Sequence, residues 1–365
     1  MADSLRDVLL RRIALSGPLT VADYMAEALG HPHFGYYATR DPFGAAGDFV
    51  TAPEVSQMFG ELLGLWCAVV WQAMGRPNPV HWVELGPGRG TLMADAMRAS
   101  RKVREFAEAA HIHLVETSPV LRRVQADTLV KASPSHPPLW HADLSGIPDG
   151  PMILIANEFL DALPILQFER TAAGWCERLV TAGPRGDGLI FALSPPSRRP
   201  PPLLSPAVID APIGAIAEVS PAAVGVIDAI GRRLAGVGGA ALIIDYGHPQ
   251  SAPGDTLQAV RGHAYHDPLA DPGQADLTAH VDFGAVTRAA IEAGAKPFGP
   301  IGQGLFLERL GLGARADALI AGATPAQAES VCAARHRLTA AGEMGTLFKA
   351  VSLQNPDLPP PPGFT

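Results

Sequence analysis

The sequence predicts an α/β chain: a parallel sheet with crossover helices, a helical region ahead of it and an antiparallel segment inserted into it. Three observations carry this. From about residue 80, short apolar runs alternate with stretches of helical periodicity, the pattern of strand, crossover helix and parallel strand. Before residue 76, apolar residues recur at spacings of three and four. Between about 163 and 212 the alternation gives way to short strands and a proline-rich run.

Taken in order, Leu5, Val8, Leu9 and Ile13 mark a first helix, and Thr20 caps a second over VADYMAEAL. A loop rich in Gly, Pro and aromatic residues follows, HPHFGYYATRDPFGAAGDFV. TAPEVSQMFGELLGLWCAVVWQAMG then reads as helix, with Thr51 and Glu54 spaced as a capping box and Pro53 in the first turn. The parallel pattern runs HWVEL, TLMADAMRASRKV, IHLVE, SPVLRRVQADTLV, a third strand before Asp143, then MILIAN and a helical EFLDAL. LPILQFERT, GWCERLVT and GLIFALS form the antiparallel insertion. PPSRRPPPLLSPAVIDAP cannot form regular helix or sheet, because proline removes backbone donors. The parallel pattern resumes with the helix SPAAVGVIDAIGRRLAG and the strand ALIIDYG. VDFGAVTRAAIEAG and a stretch from Thr324 are helical, GTLFKAVSL is the last strand, and PDLPPPPGFT is loose or polyproline-like. Residues 1–76 thus form a helical N-terminal region with a candidate lid. Residues 77–365 form the main domain, with an insertion at about 163–212.

At 365 residues, 47% hydrophobic and 18% charged, the chain can bury a substantial core. Its net charge of −8, without a basic block, argues against general nucleic-acid binding and favours a partner that carries positive charge. Cys67, Cys176 and Cys332 stand far apart and form no C-x-x-C pair, so three buried thiols are expected rather than a zinc site or a disulfide. MADSLRDVLLRRIAL is not a signal peptide, and no apolar run reaches the ~20 residues of a membrane helix. These features predict a cytoplasmic protein without stable membrane insertion.

The stretch HWVELGPGRGTL places glycines at 86, 88 and 90 in a strand-to-helix turn, at the carboxyl edge of a parallel sheet where ligands bind. A P-loop is excluded, since Thr91 rather than lysine follows Gly90. A dinucleotide fold is harder to exclude: its fingerprint G-x-G-x-x-G differs only in that the third glycine here comes one position early, and a purely structural tight turn is the other alternative. Glu84 ends the first strand just before the glycines. Glu116 ends the second, 26 residues after Gly90, where a ribose diol would find an acceptor. Asp143 is placed to meet an adenine amino group. An acidic turn repels a pyrophosphate and suits a sulfonium cation with an α-amino group.

E-x-G-x-G-x-G with an acidic second strand end resembles the class I S-adenosylmethionine-dependent methyltransferases. HFGYY, GDFVTAPEVSQMFGE, VELGPGRGTLMADAMR, NEFLDALP, DLTAHVDF and QGLFL, spread from about residue 17 to residue 350, narrow the resemblance to the MidA-like methyltransferases. The resemblance implies a Rossmann-like class I methyltransferase sheet and S-adenosyl-L-methionine as cofactor. It implies protein arginine N-methylation, with a respiratory complex I subunit as the mitochondrial target. Carried over by position, Gly86, Gly88 and Gly90 line the methionine end, Glu116 binds ribose and Asp143 adenine.

Methyl transfer from a sulfonium is an in-line displacement that needs no metal, so the protein's task is to hold donor and acceptor aligned and dry. An arginine acceptor remains protonated, and a carboxylate pair can fix its guanidinium by fork-like hydrogen bonds. Glu158 and Asp161, beside Asn157 at the end of the fourth strand, are the candidates, as against a solvated helix start. Glu54 is a further candidate, as against its capping role. Asp245-Tyr246-Gly247-His248 follows a later strand and is a candidate to face the acceptor, as against a fold-terminating turn. His31 and His33 beside Tyr36 and Tyr37, with Gly47-Asp48-Phe49, suggest a lid, as against plain loop packing. The alternatives from other classes are an NAD-dependent oxidoreductase and an assembly chaperone that has lost catalysis.

Overall fold

The structure, a computed structural model, describes residues 4–39, 51–186 and 188–364. The chain divides into two compact units, each assembled from separate stretches. One comprises Met1–Phe49, Leu160–Val226 and Gln250–Val286. The other comprises Val50–Phe159, Ile227–Pro249 and Thr287–Thr365.

The second unit holds the predicted parallel sheet. Its strands are β1 (Val80–Leu85), β2 (Ala110–Val115), β3 (Leu139–His141), β4 (Met152–Asn157), β5 (Gly239–His248), β6 (Lys296–Gly302) and β7 (Phe348–Gln354). They run in the order β6-β7-β5-β4-β1-β2-β3. The pairs β5–β4, β4–β1, β1–β2 and β2–β3 are parallel, while β7 runs antiparallel to β5 and β6. Every residue of β1 and β4 is buried, as central strands covered on both faces must be. The helix Gln57–Ala73 packs so closely on Thr91–Ser100 that a Cβ on Gly64 would lie 2.3 Å from the Ala96 carbonyl oxygen. Phe59, Leu63, Trp66, Met93, Ile153 and Leu242 form part of the buried core of this unit.

In the first unit, Leu5–Ser16 and Val21–Gly30 are the two predicted helices, capped by Ser4 and Thr20 through capping boxes with Asp7 and Asp23. They bury Leu9, Tyr24 and Met25 against Val180 and Leu277. The antiparallel sheet follows the order Leu19–Thr20, Gly174–Ala182, Leu166–Thr171, Ile216–Val219, with Leu189–Leu193 also on Gly174–Ala182. A second small sheet joins Ala264–His266, Gln258–Arg261 and Asp276–Thr278.

Several expectations are corrected. Thr51 makes no side-chain cap, and the predicted helix breaks at the extended Ser56, which caps Gln57–Ala73 instead. EFLDAL is a turn, not a helix, because Glu158 takes a left-handed φ of 49° that no helix accommodates. The proline-rich run does form one helical turn, Pro206–Ile209, with proline in the first turn, where its missing N–H is harmless. The tail is not loose: the Pro362 carbonyl accepts from Trp66 Nε1, and Phe364 packs on Phe306. Cys67 and Cys176 are buried, but Cys332 is exposed. The strands Ile216–Val219 and Lys296–Gly302 and the helix Arg104–Ala109 went unread; each is short and lacks clear period.

Candidate active site

The carboxyl ends of β1, β2 and β4 gather most of the singled-out residues in the second unit. Gly86, Gly88 and Gly90 all have positive φ, at 58°, 52° and 80°, so the turn leaving β1 has the backbone that glycine favours. A Cβ on Gly86 would lie 2.9 Å from the Phe159 ring, so the turn also admits no side chain there. Glu84 is buried at the end of β1. Burial pushes its carboxyl up to about 8, against a hydrogen bond from the Met93 amide, and its Oε2 has no partner among the described residues. A buried acceptor left without a donor costs about 1–3 kcal/mol. A ligand ammonium would satisfy it.

Glu116 follows β2. Its Oε1 accepts from the Ser118 amide at 2.7 Å, and its Oε2 accepts from Gln125 Nε2 at 3.1 Å. Burial raises its carboxyl above the ordinary range, partly offset by these bonds. Gln125 Nε2 also donates to the Gly88 carbonyl at 2.8 Å, which ties the glycine turn to Glu116. Sequence reasoning missed Gln125. Its signal was a polar residue at helical spacing between Leu121 and Leu129, on the buried face of Pro119–Lys131. Asp143 lies past the end of β3 and is exposed. It caps the short turn Leu144–Gly146, accepting from the Ser145 amide at 2.8 Å.

At the end of β4, the Glu158 amide donates to the Ile244 carbonyl at 2.9 Å, and the Phe159 amide donates to Asp245 Oδ2 at 3.2 Å. Asp245, fully buried, thus grips this turn and also accepts from the Tyr246 amide. Glu158 Oε1 accepts from the Ala52 amide and from Asn157 Nδ2, each at 3.1 Å. A non-glycine residue in the left-handed region is held there only where its surroundings over-determine it, and these bonds do so. Asn157 Oδ1 is buried without a partner among the described residues. Glu54 is not in a capping box; its Oε1 accepts from Thr91 Oγ1 at 2.6 Å, next to the glycine turn.

Asp161 belongs to the other unit, where its backbone carbonyl accepts from the Ala279 amide and its charge raises the Tyr37 phenol together with that of Asp276. Burial is the largest cause of that shift, and Tyr37 donates to Asp276 Oδ1 at 2.8 Å. Asp276 comes from DLTAHVDF, a stretch that carries the family resemblance but in which sequence reasoning singled out no residue. His31 and His33 pack on one another and on Phe34. Gly47, Asp48 and Phe49 lie outside the described residues.

A cationic ligand without phosphates fits the orphaned Glu84 oxygen, the bare turn and the acceptor Glu116. Comparison with known proteins agrees. A family model described as "Putative S-adenosyl-L-methionine-dependent methyltransferase" matches residues 62–301. The chain is 38% identical to a zebrafish (Danio rerio) protein named protein arginine methyltransferase NDUFAF7, mitochondrial, over 95% of this chain and 86% of that one. It is 39% identical to the human (Homo sapiens) protein of the same name, over 86% of this chain and 74% of that one. A crystal structure of a "likely methyl transferase" from Burkholderia thailandensis, bound to S-adenosyl-homocysteine, superposes with a TM-score of 0.84. It shares 30% identity and covers 98% of this chain and 93% of that one. The expectation of a cytoplasmic protein is corrected here: these curated relatives are named as mitochondrial. Among the described residues, no helix is long and apolar enough to cross a membrane.

Proposed function

This chain belongs to the S-adenosyl-L-methionine-dependent methyltransferase family matched over residues 62–301, and from that premise we propose that it methylates an arginine guanidinium on a protein. The observation that carries the proposal is Glu158. A carboxylate is fixed in a left-handed turn at the carboxyl end of the central strand β4, beside the turn that suits the cofactor. The names of the relatives at 38–39% identity support arginine as the target. The resemblance to MidA-like proteins supports a respiratory complex I type subunit as the substrate.

Within this reading, Gly86, Gly88 and Gly90 line the methionine end of S-adenosyl-L-methionine, Glu84 takes the α-ammonium, Glu116 the ribose hydroxyls and Asp143 the adenine amino group. The cofactor supplies a methyl group on a sulfonium: the N–C bond forms as the C–S bond breaks, its electron pair stays on sulfur, and the accepting nitrogen gives up one proton. The carboxylate of Glu158 draws the guanidinium's positive charge toward the nitrogens it binds, which leaves the accepting nitrogen richer in electrons. That carboxylate is also a base that can take the released proton. Glu54, through Thr91, steadies the start of the helix that follows the glycine turn. Asp161, the other carboxylate that the sequence singles out, lies in the first unit and is tested by its own substitution.

Single-turnover assays with radiolabelled donor and arginine-containing protein are the test. Glu158→Gln and Asp161→Asn should bind S-adenosylhomocysteine almost normally and transfer methyl at least ~100-fold more slowly, roughly 2.7 kcal/mol of transition-state stabilisation. Full activity in both variants would remove these carboxylates from the mechanism. Mass spectrometry of the proteome with and without the protein identifies the target as a site that loses methylene increments of about 14 Da.

A further inference from the structure

Asn157 is the last residue of β4, next to Glu158, and it is 8% exposed. Its side-chain amide is half used. Nδ2 donates to Glu158 Oε1 at 3.1 Å, while Oδ1 is buried with no hydrogen-bond partner. The amide cannot simply turn over. Glu158 Oε1 is already pinned by the Ala52 amide, and a flipped Asn157 would set its own oxygen against that carboxylate oxygen. The backbone beneath is equally fixed, by the Glu158 amide on the Ile244 carbonyl and by the Phe159 amide on Asp245. A carbonyl oxygen is therefore held in one direction at the carboxyl end of the central strand, and among the described residues nothing uses it. An unsatisfied buried polar atom calls for a partner.

On the reading that the accepting atom is a guanidinium nitrogen, we infer that Asn157 Oδ1 accepts a hydrogen bond from an N–H of that nitrogen and so turns its lone pair toward the methyl group. Two features select this donor over the cofactor's ammonium. The ammonium has its own orphaned acceptor one strand over, Glu84 Oε2 at the end of β1, and that acceptor can ionise. A neutral amide oxygen orients an N–H while adding no negative charge beside Glu158. Glu158 then binds the guanidinium and Asn157 aims it. The bonds formed and broken, and the proton released, are those already described.

The test uses the full-length protein and a library of peptides with a central arginine, with a matched lysine library as control. Asn157→Leu keeps the side chain's shape and removes both polar atoms. Asn157→Asp restores the acceptor oxygen and, at a pH low enough for its carboxyl to hold a proton against Glu158, adds no negative charge there. The expected result is a single-turnover rate at saturating peptide that falls at least 100-fold in Asn157→Leu and recovers at least tenfold of that loss in Asn157→Asp. The S-adenosylhomocysteine Kd and the peptide KM should stay within threefold of wild type in both. If Asn157→Asp is no faster than Asn157→Leu across the pH range in which its carboxyl takes up a proton, the restored oxygen does not serve the reaction and the inference is wrong. A loss of S-adenosylhomocysteine affinity in both variants, measured by calorimetry, would assign the oxygen to the cofactor and overturn it equally. Wild-type protein that leaves the arginine library unmethylated overturns the arginine reading itself, a result distinct from active wild type with equally active variants, which overturns this inference alone.

Discussion

Glu84 shows how a single residue links the fold to the ligand. Its carboxyl lies buried at the end of β1, and burial raises it to about 8. A folded-state value above the unfolded one means that the folded chain keeps a proton which the unfolded chain has released between pH 4.5 and about 8. The stabilisation is complete below pH 4.5 and is lost as pH rises through 8, so the group works against folding by roughly 3 kcal/mol at pH 7. Glu84→Gln, which cannot ionise, should therefore melt increasingly above wild type as pH goes from 5 to 8. It should also bind S-adenosylhomocysteine at least ~10-fold more weakly, since a charged partner for the ammonium is gone. Wild-type affinity should rise from pH 6 to 8.5, with proton release visible as a dependence of the binding heat on the buffer. An affinity flat in pH would remove the Glu84–ammonium contact. Glu84 and Glu116 were legible in the sequence because both end strands at the edge where ligands bind. The grip of Asp245 on the Phe159 amide was not, because it joins residues 86 positions apart through the register of β5 on β4.

Among the elements, long segments with a clear period were read well, and short ones held by context were not. HWVEL, IHLVE, MILIAN and ALIIDYG became strands because continuous apolar runs suit a sheet buried on both faces. EFLDAL has helical composition and became a turn, since the hydrogen bonds around Glu158 override propensity. Strand register also created a feature with no sequence signal. His81 Nδ1 and His113 Nε2 are 2.9 Å apart, as are His113 Nδ1 and His141 Nε2, a chain of imidazoles crossing β1, β2 and β3. Burial first, then the neighbouring His81 and His141, lower His113 to about 4. A histidine value below the ordinary 6.5 means that stability is present above pH 6.5 and is lost as pH falls toward 4. The wild-type melting temperature should drop on going from pH 6.5 to 4.5 by at least ~3 °C more than that of His113→Gln, which cannot take up a proton. Parallel melting curves for the two proteins would show that the chain does not carry the effect.

On the scale of the whole molecule, both units are built from stretches far apart in sequence. The N-terminal helices complete a core with Val180 and Leu277. Deleting them would strip that core rather than lift off a lid, so the acceptor surface is better tested by a property of the intact chain. The net charge is −8, and an arginine-bearing protein brings positive charge to it. Attraction between an acidic protein and a cationic partner speeds encounter and is screened by salt, with a Debye length that shrinks from ~10 Å at 0.1 M to ~3 Å at 1 M. In the proposed site the cofactor meets Glu84 and Glu116, both buried, where salt screens little. Raising NaCl from about 50 to about 500 mM should therefore lower kcat/KM for a basic protein substrate at least ~5-fold, mostly through KM, while the S-adenosylhomocysteine Kd changes less than ~2-fold. The same titration with a neutral peptide that carries a single arginine should give a much shallower slope, because most of the long-range attraction comes from charges outside the site. If the two substrates respond alike, the overall charge of the chain plays no part in choosing its partner, and selection rests on the short-range contacts of Glu158 and Asn157.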